Sequence, residues 1–472
     1  MLAFPSLTNC VPGRVREGPA NAHWKRTMNR WIVAALVALA VIVLVSPGIV
    51  GRLAERNLKD SIEWAKTRND DFVVTEETFE RGWFTAEGRH RIELKKGVLQ
   101  SAFAELAGVM DPDRTAALIV DTRIDHGLVP VSSMSRESGS LQPALASTIS
   151  TLQLDTGDGE LIAIPGRLKS RVGLSGETAS HYELPAGSFA NEELELEWAS
   201  GDIRFTIDAA ASKLQYDGRV DAVSLHSDAD NLRIGGATFA GLQQASEYGF
   251  SVGSIELLLE NAVIEDPFGG VTGIERLKLE GNNELVGQRV NGSSTLDAVG
   301  VSIPGLGEAD LGLDVVVNAL DARTLQRIIE EFREARQAAD PEEAFSAAYT
   351  RIEGNVHAFL RAGAEVRFDR IDLSLPQGDV TASMRFELPQ TDDSQAFSWP
   401  ALLLALTAAA DIRVPVALVE MAQAGNPQAN ALIAMGILKR DGDAYVTKAE
   451  YSQGLLTVNG APLPIPLGVA PR

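Results

Sequence analysis

Short apolar and polar alternations, separated by glycine-centred turns, constrain this chain more than any other feature. From Val380 to Leu388, apolar Val380, Ala382, Met384, Phe386 and Leu388 take every second position, with Thr381, Ser383, Arg385 and Glu387 between them. A period of two is that of a pleated strand with one buried and one wet face. Leu194, Leu196 and Trp198 repeat the pattern against Glu193, Glu195 and Glu197. Ile203, Phe205 and Ile207 follow the turn signal Ser200-Gly201-Asp202, so these two runs are predicted to form a hairpin. Similar runs carry Val223 and Leu225; Ile255, Leu257 and Leu259; Leu277 and Leu279; Val366 and Phe368; Ile371, Leu373 and Leu375. Between them stand Asp217-Gly218, Gly235-Gly236, Gly269-Gly270, Asn291-Gly292 and Gln377-Gly378. No strict repeat period links the runs, which argues against a solenoid. The pattern predicts a mainly β protein with a few helices (α+β), built on a large, mostly antiparallel, curved β-sheet.

Helical spacing is confined to two regions. Leu325, Ile328, Ile329 and Phe332 follow Asp321, a predicted N-cap, and Asp340-Pro341-Glu342-Glu343 is a second start signal. A helical hairpin over about 321–362 is expected to pack against the sheet. A helix-plus-hairpin region is expected over about 411–460, broken at Gly425-Asn426-Pro427. The run Trp399 to Ala410 has 12 residues, too few to cross a bilayer, and reads as a buried strand or core segment.

Between Arg30 and Arg52, 21 residues carry no charge. At ~1.5 Å per residue they span ~30 Å, the thickness of a bilayer core. Residues 31–51 are therefore predicted to be a transmembrane anchor. Residues 1–30 carry five bases and one acid, so the positive-inside rule puts them in the cytoplasm and residues 52–472 across the membrane. Met28 stands just before the apolar run, and residues 1–27 read as an extension ahead of the true start. A cleaved signal peptide is the competing reading, with Ala38-Leu39-Ala40 as its small-residue site.

Charge and cysteine usage then exclude several functions. The first 52 residues hold six bases and one acid, which leaves 36 bases and 63 acids, a net of −27, in the remainder. Phosphate contacts need clustered Lys and Arg, so nucleic acid is not expected as a partner. The single cysteine, Cys10, precedes the anchor and permits neither an internal disulfide nor a thiolate metal site. The remaining histidines, His23, His90, His181, His226 and His357, lack metal-ligand spacing, and no metal or cofactor is expected.

Two local motifs stand out. Phe79-Glu80-Arg81-Gly82-Trp83-Phe84-Thr85 is a strand with an Arg-Gly-aromatic centre, and Asp125-His126-Gly127-Leu128-Val129-Pro130 is an Asp-His-Gly motif. Together with Asp411-Ile412-Arg413-Val414-Pro415 and the closing Gly454-Leu455-Leu456-Thr457-Val458-Asn459-Gly460, in this order behind one anchor, the chain resembles the YdgA-like bacterial family, a domain of unknown function. The resemblance covers residues 28–465. It implies an inner-membrane anchor and a periplasmic domain in a Gram-negative cell, and it supplies no reaction. Leu128 and Val129 stand where family members often carry bulkier aromatic residues.

Arg81, Gly82, Trp83, Asp125, His126 and Gly127 are thus the binding or motif candidates. A histidine beside a carboxylate can act as a general base, but neighbours in an extended strand point to opposite faces. The simpler expectation is structural: a turn at Asp125 to Gly127, and a bulge with a core tryptophan at Arg81 to Trp83. No nucleophile elbow, HExxH or phosphate loop accompanies them. The expected function is non-enzymatic: binding of lipid, other apolar cargo or a partner segment in envelope maintenance. The alternatives are a scaffold for envelope-protein assembly, or a hydrolase using Asp125 and His126.

Overall fold

The structure is a computed structural model. It describes residues 72–81, 85–94, 117–126, 144, 146–155, 161–190, 194–227, 231–265, 271–303, 307–337, 343–349, 351, 363–390, 403–425 and 427–463. The expected anchor at 31–51, and Gly82, Trp83 and Gly127, lie outside the described residues.

Twenty-three described strands join in one sheet. The first five are β1 (Phe72–Arg81), β2 (Thr85–Leu94), β3 (Ala117–His126), β4 (Ala146–Asp155) and β5 (Leu161–Val172). Six short segments follow: β6 (Thr178–Leu184), β7 (Gly187–Ala190), β8 (Leu194–Trp198), β9 (Gly201–Ile207), β10 (Lys213–Val220) and β11 (Val223–Ser227). The longest strands come next: β12 (Asn231–Ala245), β13 (Ser251–Glu265), β14 (Val271–Val286), β15 (Arg289–Ile303) and β16 (Gly307–Asp321). After helix α1 (Ala322–Gln337) come β17 (Ala364–Leu375), β18 (Gly378–Leu388) and β19 (Thr407–Pro415). Helices α2 (Val416–Gly425) and α3 (Pro427–Ala434) precede β20 (Lys439–Asp441), β21 (Ala444–Ser452), β22 (Leu455–Val458) and β23 (Ala461–Leu463).

All the ladders are antiparallel, and the order is a meander. Each of β1 to β5 pairs with the next, and β5 pairs with β6. From β12 to β19 the strands again pair in sequence, and β19 pairs with β21. The six short segments are three long strands, each interrupted once. β6 and β7 lie along β9 and β8 in a single register, as do β10 and β11, and β12 lies against both β10 and β11. Pro185 stands in the break between β6 and β7, where it has no N–H for the ladder. Among the described residues the sheet is open: β1 pairs only with β2, and β23 only with β22.

This arrangement corrects the hairpin expected at Ser200 to Asp202. β8 and β9 do not pair with each other. The ladder runs on through the expected turn: Ala199 N–H donates to Ala222 O (2.9 Å) and Asp221 N–H to Ser200 O (2.9 Å). The chain reverses at Asp208 instead. Its carboxylate accepts from Ser212 N–H (2.6 Å), the Ser212 hydroxyl (2.6 Å) and Lys213 N–H (2.9 Å), and Ala211 takes a left-handed φ of 52°. The apolar positions shift from even to odd numbers at Ser200, and that shift in phase reads as a turn.

The main core lies on one face of the N-terminal strands. Val74, Ile92, Leu118, Val120, Leu152, Leu168, Ile203, Phe205 and Tyr216 form one buried cluster, with Phe239 of β12 packed on its margin. The same face buries hydroxyls, which pair with each other: Thr122 Oγ1 with Ser150 Oγ, and Ser180 Oγ with Ser170 Oγ, both at 2.8 Å.

Helix α1 starts where expected. Asp321 Oδ1 accepts from Thr324 N–H and from the Thr324 hydroxyl, each at 2.8 Å. Ala322 and Leu325 then pack on Tyr248, Leu285, Val290 and Leu320 at the ends of the long strands. Residues 343–349 are also helical, and Phe345 meets Phe332 of α1 with ring centroids 6.3 Å apart. The expectation for Trp399 to Ala410 needs correction. Residues 403–405 form a helical turn with Leu404 exposed, tied down by the Tyr451 hydroxyl donating to Leu403 O (2.8 Å), and the strand begins only at Thr407.

Candidate functional site

The long strands give the sheet two chemically distinct faces. Register aligns Phe239, Leu257, Leu279, Leu296, Leu313, Ile371, Ala382 and Ile412 into one row across β12 to β19. A parallel row holds Ala237, Leu259, Leu277, Ala298, Leu311, Leu373 and Val380. Directly opposed residues on neighbouring strands share a face, so these rows form a continuous apolar surface. It arises because β12 to β19 each place uncharged residues at alternate positions over this stretch.

That surface is open. All eight residues of the first row are half-buried, whereas the row's extension into the N-terminal strands is closed. Beyond Phe239 the row passes through Gly218, Ile203, Tyr182, Leu168, Ser150 and Thr122, and there Leu168 is 2 % and Ile203 6 % exposed. On the open part Ile255 is 40 %, Leu311 37 % and Phe386 39 % exposed. Exposed apolar side chains thus continue across several neighbouring strands of this face.

The opposite face is charged. Asp217, Ala240, Glu256, Glu280, Thr295, Asp314 and Arg370 form one row there. Arg370 clasps Asp314 through two hydrogen bonds, Nε to Oδ2 (2.8 Å) and Nη2 to Oδ1 (3.1 Å), and reaches Asp297 Oδ1 at 2.7 Å. The hydrogen bonds to Asp314 and then Asp297 push the Arg370 pKa up, and the bond from Arg370 holds the Asp314 carboxyl below its usual range. Part of this face dips into a shallow cavity of about 590 Å³ beside Asp217, Glu256 and Glu280. Among the described residues no group of three or more His, Cys, Asp or Glu side chains is placed to hold a metal ion.

The described candidates from the sequence motifs, Arg81, Asp125 and His126, lie elsewhere, on β1 and β3. Arg81 ends β1 and pairs with Ala86, which pairs in turn with Ile124; Thr85 pairs with Asp125. Arg81 and Asp125, some forty residues apart in sequence, therefore lie at the same end of the β1–β3 ladder. Asp125 is buried, its Oδ1 lies 3.8 Å from Arg123 Nε, and among the described residues that oxygen accepts no hydrogen bond. Asp125 and His126 are successive residues of the extended strand β3, positions that belong to opposite faces. Among the described residues, Arg81, Asp125 and His126 are not part of the rows on β12 to β19. At the margin of the open face, burial pushes the Tyr182 hydroxyl up to about 12 and shifts Tyr216 in the same direction, so both stay protonated at neutral pH.

No single stretch of sequence displays the row, although the alternation at Val380 to Leu388 places Met384 and Phe386 on one side of a strand. Both do belong to the open face, opposite Phe368 and Val366. The signal in the sequence is that inward positions of successive strands carry no charge. Aligning them needs the register, which bulges shift at Ala298/Val301, Asp314/Val315 and Phe368/Ile371.

Comparison with known proteins places this sheet in a family. The chain is 23% identical over 381 residues to Protein YdgA of Escherichia coli (strain K12), covering 75% of this chain and 70% of that one. No solved structure matches. A family model described as bacterial protein of unknown function (DUF945) matches residues 28–466, and the chain belongs to that family.

Proposed function

We propose that this chain is a membrane-anchored, non-enzymatic protein of the bacterial envelope that holds apolar cargo on the open face of its long-strand sheet. One observation carries the reading: an unbroken row of eight uncharged, half-buried side chains from Phe239 to Ile412, on a sheet whose other face is charged. Full burial of a large apolar side chain is worth about 1.5–3 kcal/mol. Seven of the eight residues are large, so covering what remains exposed of them favours an apolar partner, against the cost of ordering it. The row consists of Phe, Leu, Ile and Ala, none of which can hold or move a proton, which supports carriage rather than turnover. The uncharged run at 31–51 and its basic flank support an inner-membrane anchor with residues 52–472 in the periplasm. Such a tether raises the local concentration of membrane-derived cargo.

The test is a photoreactive residue at Met384 or Phe386 in the full chain in living cells. An adduct from both positions is expected. Absence of any adduct, together with hydrolysis of an envelope ester by the wild type, would replace carriage with catalysis. Fractionation is a separate check: the chain should sediment with the inner membrane, and protease should reach its C-terminal part only in spheroplasts. Recovery as a fully soluble periplasmic form would instead favour the cleaved signal.

A further inference from the structure

The chemistry of the floor narrows the cargo. We infer that the open face takes unbranched hydrocarbon tails of lipids, laid across the strands, and does not read their headgroups; the inference rests on the carriage proposed above. The strands β13 to β18 are each hydrogen-bonded to a neighbour on both sides, so their backbone groups are already used. An extended peptide on this floor would bring an N–H and a C=O with every residue, about 3.3 Å apart, and find no partner for either. Each such group would go unsatisfied or keep its water, and either outcome opposes burial. A hydrocarbon tail carries no such groups.

Dimensions agree. Phe239 and Ile412 are separated by seven strand spacings, which at ~4.8 Å each come to ~34 Å. One leaflet's tails fill about half of the ~30 Å bilayer core, so the row matches two tail lengths. The second row runs parallel to it, roughly 7 Å away along the strands, which makes the floor wide enough for tails side by side.

The ends of the row are closed to a headgroup. At one end Phe239 packs on the buried core. At the other, Ile412 pairs with Thr447, which is buried and whose hydroxyl already donates to Ile437 O at 2.8 Å. Neither row contains a cation to bind a phosphate or carboxylate. The headgroup must therefore remain in water and go unread.

The test uses the full chain in cells fed radiolabelled acetate, which enters lipid tails. A photoreactive p-benzoylphenylalanine replaces Leu296 on the apolar row or Thr295 on the charged face. Labelled adducts are expected from position 296 and not from 295. Their headgroups, read by mass spectrometry after release of the bound lipid, should follow the composition of the membrane. Adducts only to polypeptides from position 296 would overturn the hydrocarbon inference while leaving carriage standing. Equal labelling at 295 and 296 would overturn the assignment of this face. Enrichment of one headgroup would overturn the claim that headgroups go unread. No adduct from 296, 257 or 371 would sink both the inference and the carriage reading.

Discussion

Tyr216 lays its ring over Gly241, its direct partner on the neighbouring strand, so closely that a Cβ on Gly241 would fall 2.5 Å from the ring carbon Cζ. Two residues on, the arrangement is reversed: Phe239 covers Gly218, where a Cβ would fall 2.4 Å from its Cζ. The two rings lie 6.3 Å apart. This exchange of aromatic and glycine across one ladder sits where the closed core gives way to the open face.

Gly218→Ala should therefore destabilise the protein by about 1–3 kcal/mol, because the ring of Phe239 must leave its place on the core. Gly292→Ala is the contrast. It lies in β15 without a positive φ, and its added Cβ would meet nothing nearer than 3.5 Å. There the loss of unfolded-state freedom should leave stability unchanged or raise it by up to about 1 kcal/mol. Melting of the two variants in the same detergent checks both expectations; equal destabilisation would contradict the crowding at Gly218.

The Asp208 turn should be sensitive to acid. Burial raises the carboxyl pKa, but the hydrogen bonds from Ser212 and Lys213 outweigh it and the net shift is downward. A carboxyl lowered in the folded state stabilises above its unfolded value, near pH ~4, and loses that contribution as pH falls through the lower folded value. The stability difference between wild type and Asp208→Asn should be full at pH 7 and shrink below about pH 4. A difference that stays constant to pH 2 would show that the charge plays no part.

Arg370→Lys should weaken the charged face without touching the apolar one. A lysine cannot keep the two-point clasp on Asp314 while holding Asp297. Both carboxylates are partly exposed, so the expected loss is about 0.5–1 kcal/mol and should diminish in 1 M salt. Unchanged crosslinking from position 296 in this variant would separate the buttress from the cargo face.

How much of this was legible in the residues themselves depended on which step needed long-range register. The alternation at Val380 to Leu388 and the cap at Asp321 are local, and the structure has both. The false turn at Ser200 shows the limit: a phase shift inside a strand and a reversal of the chain look alike until the pairing of Ala199 with Ala222 is known. Arg81 and Asp125 belong to clusters of uncommon residues, yet both lie on β1 and β3, away from the row. The row from Phe239 to Ile412 uses common residues from eight strands, and no stretch of sequence displays it. Only the ladder does.

The most direct measurement is the environment of two neighbouring residues on opposite faces. With Cys10 replaced by alanine, a nitroxide spin label is attached at Leu296→Cys or Thr295→Cys in the full chain, in vesicles of native lipid. Collision with oxygen, which concentrates in hydrocarbon, is compared with collision with a water-soluble nickel chelate. A face filled with lipid tails should give position 296 an oxygen-dominated, hydrocarbon-like environment, while position 295 stays nickel-accessible. Water-like accessibility at both positions would mean that the apolar row stands empty, and would contradict carriage on this sheet.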